Sequence, residues 1–539
     1  MGDSDTVNVP NGTRVISAHL FANEYESNPG NKNIHAVNLP EGLEEIGNAA
    51  FAGCTLLEKI VIPNSVKKIG SEVFKGCDHL VSVAMPDSVE EMGDGVFVGC
   101  RGLADENGFI IENNSIHSFY GSDREIVIPE GIVSIANSVF YKTGITSIQL
   151  PSTLRTLGSA FAGCDSLTEI IIPEGIEVIR SNTFDGCIRL KKVVLPSTVK
   201  HIGYKAFNGC ELLEEISIPD CVETIKEYAF ADCKSLKSVC IPCGVQEIGY
   251  DAFNGCTSLV NVKLSEGLLK IGNCAFKNCE NITEITIPTT VEKIEYSAFE
   301  NCKSLKRLNY EKVNGTVDQR AFDGCTSLAD ENGMTIIAGI LWKYDGPGGD
   351  VVVPDGITAL APNVFREGYS RARRSYTHYR QEGSLKTVVL PTTVKKIYSN
   401  VFDGCKALTS INIPDGIEMI GEEAFRECGA LTSINIPDSM LSLGARAFME
   451  CERLSKIDIE EGIIIIEHET FRGCRALKSF YIPASVESVG DMAFGGCKAL
   501  TEFSVSSESN TYSVQDGMLV NKNGDTLVWF PAGKKLQIT

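Results

Sequence analysis

Apolar and polar positions follow one phrase along most of the chain. In residues 50–70, AFAGCTLLEKIVIPNSVKKIG, the Leu-x-x-Ile-x-Ile run alternates apolar with polar and stops at Pro63. That alternation predicts a short strand, ended by a residue with no N–H for the ladder. The Val-x-x-Ile-Gly portion predicts a second short extended segment. The x-x-Ala-Phe-x-Gly-Cys portion predicts a single helical or 3₁₀ turn closed by glycine.

The phrase returns every 23 residues within each block. Aligned on its phenylalanine it gives Phe51, Phe74 and Phe97, then eight copies from Phe161 to Phe322, then five from Phe402 to Phe494. All sixteen carry Cys three residues later, from Cys54 to Cys497, and degenerate copies at Phe21, Phe140 and Phe365 bring the total to nineteen. One such unit cannot bury its own aliphatics, but stacked neighbours bury a continuous core, so the expected architecture is a solenoid.

The stretch IPNSVKKIGSEVFKGCDHLVSVAMP resembles the BspA-type leucine-rich repeat, with Pro, Ile-Gly, Phe, Gly-Cys and Leu in fixed register. The resemblance covers nearly the whole chain. It implies a leucine-rich repeat solenoid, α/β to mostly β, with a curved parallel sheet, in a cell-surface or secreted setting, engaged in adhesion or protein binding. It implies no enzyme activity and supplies no binding residues, because the repeat's fixed positions are packing positions.

Spacing divides the array. The expected parts are an N-terminal capping repeat (1–39), repeats (40–100), an inserted hairpin (101–128), repeats (129–325), a second hairpin (326–353), repeats (354–502) and a C-terminal hairpin or cap (503–539). The two insertions begin alike, LADENGFIIENNSIHSFYGSDREIVIP and LADENGMTIIAGILWKYDGPGGDVVVP, and each reads as two short apolar strands projecting from the stack. A third hairpin, 512–531, has Asn523-Gly524 as its turn. These elements carry Phe119, Tyr120, Trp342, Tyr344, Trp529 and Phe530, for which two readings stay open: closing over solenoid edges, or anchoring a partner. Between Phe365 and Pro391 the sequence REGYSRARRSYTHYRQEG adds a basic loop (366–384) with five Arg and three Tyr. Arg371, Arg373, Arg374 and Tyr376 there are candidates for docking an acidic partner.

The outward strand residue two before each Pro points away from the core. Its first members, Val61, Ala84, Val127, Gln149, Ile171 and Val194, are nearly all apolar and form the candidate partner-binding stripe. Two residues earlier, Glu169, Lys192 and Glu215 alternate in sign, an arrangement that neighbouring strands can use as ion pairs. High strand propensity alone also explains β-branched residues here.

Composition and chemistry narrow the function. The 539 residues carry 70 acidic against 49 basic side chains, a formal charge of −21, which opposes non-specific binding to nucleic acid or anionic lipid. No run approaches a membrane span. The N-terminus has neither the basic start nor the apolar core of a signal peptide. The expected location is therefore cytoplasmic, or secreted or cell-surface where a signal has been removed.

Among the 20 cysteines, those at the repeat position, such as Cys54, Cys77, Cys164, Cys187 and Cys210, form a column with rungs about 4.8 Å apart. Their side chains point the same way, which strains a bridge, and each bridge would add roughly 3 kcal/mol at best. Buried packing thiols are expected instead. Cys221, Cys240, Cys243 and Cys274 break the pattern, and Cys240-Ile-Pro-Cys243 is formally a C-x-x-C motif. It lacks the four ligands of structural zinc and the helix N-terminus of a redox site. No phosphate-binding loop, nucleophile elbow or metalloprotease helix motif occurs, so no catalytic residue, metal or cofactor is expected.

Overall fold

A computed structural model describes residues 6–22, 33–310, 316–318, 320–367 and 384–534. The chain divides into two compact units, Met1–Arg307 with Asn314–Thr326, and Leu308–Val313 with Ser327–Thr539. Each is a stack of short parallel strands, mostly β, as the repeat phrase predicts.

Most of the described rungs contribute two strands. In the first unit the Leu-x-x-Ile-x-Ile segment forms strands such as Lys59–Val61, Ser82–Ala84, Glu169–Ile171 and Lys192–Val194, paired in parallel register with Ile60 opposite Val83 and Ile170 opposite Val193. The Val-x-x-Ile segment forms two-residue strands such as Val178–Ile179 and His201–Ile202 in a second parallel column. Inward isoleucines are buried in both columns, while the flanking strand residues are exposed.

The turn between columns is built around phenylalanine. Its carbonyl accepts the N–H of the Cys three residues on, at 3.0–3.3 Å in all sixteen cysteine-bearing rungs. This i to i+3 closure is the 3₁₀-type turn of the sequence reading; the one 3₁₀ helix among the described residues is Arg101–Leu103. The next residue but one after Phe adopts a left-handed conformation, as at Gly76 (φ 71°) and Gly209 (φ 69°), and this explains the recurrent Gly before Cys. Successive rings lie nearly parallel with centroids 5.0–5.9 Å apart, from Phe21 to Phe97, from Phe140 to Phe322, and from Phe365 to Phe494. Phe365 stacks directly on Phe402, so the extra residues of the basic loop leave the ring ladder unbroken.

Both insertions form antiparallel hairpins, Phe109–Glu112 with Ser115–Phe119 and Met334–Ile337 with Ile340–Tyr344. Their second strands are built into the stack: Ile116 pairs in parallel with Ile135, and Leu341 with Leu360. The first-column sheet of the opening rungs ends at Ser82–Ala84 and a new one starts at Glu125–Val127. The last strands, Tyr512–Gln515, Met518–Asn521 and Leu527–Trp529, make a three-stranded antiparallel sheet. Gly524 (φ 75°) lies in its second turn, and Trp529 packs edge-on against Phe494, 5.7 Å between centroids.

Candidate functional site

The outward stripe emerges as two pieces. Val61, 67% exposed, stands opposite Ala84 on the opening sheet. Val127, Gln149, Ile171 and Val194 lie on the seven-stranded sheet that follows the first hairpin, with Val127 facing Gln149 and Ile171 facing Val194 across the ladder. Val127 is 67%, Ile171 66% and Val194 39% exposed. In the second unit Val352 and Val389 occupy the same column, in register and exposed.

Register aligns Glu169 with Lys192 and Lys192 with Glu215, yet no ion pair joins them among the described residues. The expected pairing is corrected for these three residues, while the same column does pair across rungs at Arg307–Glu284 (2.7 Å), and further cross-rung pairs form outside it, as in Lys200–Glu177 (3.1 Å), Lys234–Glu211 (2.6 Å) and Lys303–Glu280 (2.7 Å).

The hairpin aromatics divide between roles. Tyr344, expected as a partner contact, is 5% exposed and packs on Phe365 at 5.1 Å, so it is a core residue. Phe119 likewise packs on Phe140 at 5.3 Å. Trp342 is half-buried, and its indole Nε1–H finds no hydrogen-bond acceptor among the described residues. Tyr120 accepts the Gly99 N–H and donates to the Phe97 carbonyl at 3.2 Å, fastening the first hairpin to the rung before it. Arg371, Arg373, Arg374 and Tyr376 lie outside the described residues. The ends of their loop are held by the buried Glu367 carboxylate, which accepts hydrogen bonds from the Ser384 and Leu385 N–H groups at 3.0 and 2.8 Å.

The repeat thiols are more than packing. All sixteen donate Sγ–H to the carbonyl of the preceding rung's phenylalanine, at 2.9–3.3 Å. Burial pushes the thiol pKa up to about 12 at Cys54 and about 11 at Cys164, and well above the ordinary value at Cys187 and Cys210. Cys221 takes the slot that Thr198 fills one rung earlier: its Sγ–H reaches the Val199 carbonyl at 3.0 Å as the Thr198 hydroxyl reaches Ile176. Cys274 occupies a left-handed turn position (φ 54°), while Cys240 and Cys243 are exposed. No group of metal-binding side chains converges among the described residues.

Two features escaped the sequence reading. Leu441, Ile464 and Ile465 are exposed at the second column of the second unit, signalled by the run Ile463–Ile466, which breaks alternation. In the first unit an open groove of about 730 Å3 runs across the second column, lined by residues that include Arg180, His201, Tyr204, Thr224 and Lys226. Its signal was the replacement of the repeat's Ile-Gly glycine by Arg180 and Lys226.

Stacked two-strand rungs, a phenylalanine ladder and an outward face free to vary define a leucine-rich repeat solenoid. The chain belongs to the BspA type leucine-rich repeat region family, whose profile matches residues 25–123, 110–213, 200–329 and 374–507. Similar solved structures include a leucine-rich cell surface protein from Faecalibacterium prausnitzii, 27% identical over 75% of this chain and 94% of that one, TM-score 0.33. A leucine-rich repeat protein from Bacteroides ovatus is 22% identical over 93% and 92%, TM-score 0.29. The leucine-rich repeat protein of T. pallidum is 29% identical over 33% and 90%, TM-score 0.31. No curated protein matches the chain.

Proposed function

We propose that the chain is a non-enzymatic binding scaffold whose outer sheet face takes a protein or cell-surface ligand, in the adhesive role that the family resemblance implies. The observation carrying this reading is the aliphatic stripe Val127–Ile171–Val194. Three β-branched side chains of a strongly acidic protein stand in water on one sheet. Covering such a surface gains about 25 cal/mol per Å2 of apolar area, and the rigid rungs lose little entropy on binding.

The test is a triple variant, V127E/I171E/V194E. Its side chains face solvent, so the melting temperature should stay within a few degrees of wild type. A partner enriched by the wild-type protein from host-cell surface extracts should be lost with the variant; retained capture would remove the sheet face from consideration. A second reading, an intracellular interaction scaffold, is favoured by the reduced thiols, since an oxidising compartment selects for bridges.

A further inference from the structure

In most rungs a glycine follows the second-strand isoleucine. Around the groove of the first unit that slot reads Arg180, Gly203 and Lys226 on three successive rungs, in register because Ile179 pairs with Ile202 and Ile202 with Ile225. A Cβ at Gly203 would stand 2.7 Å from the Ser181 backbone nitrogen, so the middle rung stays without a side chain. Two cations thus bracket an empty rung, about 10 Å apart at the rung spacing of a parallel sheet. Neither side chain has a hydrogen-bond or ion-pair partner among the described residues. Their neighbour Lys200 pairs with Glu177, and Lys234 with Glu211, the usual outcome in a chain of charge −21. Glu227 also lines the groove but is bonded to neither.

Besides these charged groups the lining is polar, aromatic and aliphatic, the last from Val178 and Ile202. Tyr204 is 39% exposed, and its ring begins an edge-to-face row with Tyr228 (5.8 Å) and Tyr250 (5.2 Å) on the next two rungs. His201 Nδ1 lies 3.0 Å from the Thr224 hydroxyl, and Ser159 and Ser181 face the same space.

We infer that this groove binds an acidic polysaccharide with a carboxylate on alternate sugars. An open groove that mixes hydroxyls, an imidazole, one tyrosine and two aliphatic side chains offers a protein no desolvated pocket for an anchoring side chain. A polyhydroxylated chain can hydrogen-bond to those groups and lay a C–H face on the Tyr204 ring, beside the Lys205 ammonium 5.4 Å from its centroid. A hexose chain advances by roughly one rung per sugar. Carboxylates on every second sugar therefore meet Arg180, in bidentate fashion, and Lys226. The site is separate from the aliphatic stripe and does not depend on it.

The experiment is calorimetric titration of the full chain with hyaluronan oligosaccharides, which carry a carboxylate on every second sugar. Neutral chitin oligosaccharides of equal length and poly-glutamate are the comparison ligands. The expected result is saturable hyaluronan binding that weakens as salt rises, weakens about tenfold or more in R180Q/K226Q, and weakens in Y204A. Where R180Q/K226Q melts early, R180G/K226G, which installs the residue found at 203, replaces it. V127E/I171E/V194E should bind hyaluronan like wild type, so the two surfaces fail separately. Absence of saturable binding, equal binding of the chitin oligosaccharide, tighter binding of poly-glutamate, or full affinity in the charge-neutralised variant would each overturn the proposal.

Discussion

At Cys210 the side chain is fully buried and its Sγ–H points to the Phe184 carbonyl 3.3 Å away. That carbonyl already accepts the Cys187 N–H at 3.1 Å, so the thiol from the next rung occupies its second lone pair. Alanine there would leave a small void and an under-satisfied acceptor. C210A should therefore lower the unfolding free energy by about 1–2 kcal/mol, read as a fall in the urea midpoint; an unchanged midpoint would reduce the thiol to filler. Reactivity follows from the same burial. Burial raises the thiol pKa to about 12 at Cys451 and Cys497, and the thiolate is the nucleophile. Maleimide should label Cys240 and Cys243 in the folded protein and reach the ladder only in denaturant, as read by intact mass. Rapid native labelling of Cys187 or Cys210 would contradict the packing.

The first hairpin brings a titrating group into the stack. His117 lies on strand Ser115–Phe119 with its ring edge-on to Phe97, 5.6 Å between centroids, and burial holds its pKa down to about 4. In the unfolded chain the value is about 6.5. As pH falls, the unfolded state takes up this proton first, so His117 costs no stability above about pH 6.5. Its contribution declines between about 6.5 and 4, by up to roughly 3 kcal/mol. Wild type should thus lose more melting temperature between pH 7 and pH 5 than H117F does; parallel curves would show that the imidazole is not shielded. The hairpin itself was legible, because two apolar runs flank turn residues. The packing of its aromatics was not: Phe119 and Tyr344 precede Phe140 and Phe365 by 21 residues, two short of the repeat, and so fall out of an alignment made on 23. The charged groove was hidden for a related reason. Arg180 and Lys226 look like ordinary surface variation until the register sets them on either side of Gly203, whereas the outward valines follow from strand alternation alone.

In a linear array each rung touches mainly its neighbours, so stability is close to a sum of rung and interface terms. The ring ladder makes those interfaces alike: Phe207 stacks between Phe184 at 5.3 Å and Phe230 at 5.2 Å, and its N–H donates to the Ala229 carbonyl at 2.8 Å. F207A would remove a fully buried ring from both interfaces at a cost of about 3–5 kcal/mol, more than the typical difference between one rung and the next. Opening should then become local. Amide exchange is expected to quicken in the rungs from Phe161 to Phe253, fading with distance from 207, because each further rung must break another intact interface before it opens. The rungs from Phe402 to Phe494 keep their own ladder and should exchange at the wild-type rate. A uniform rise across both units, measured peptide by peptide, would mean that the solenoid opens as one cooperative body, and the nearest-neighbour account of its stability would have to be given up.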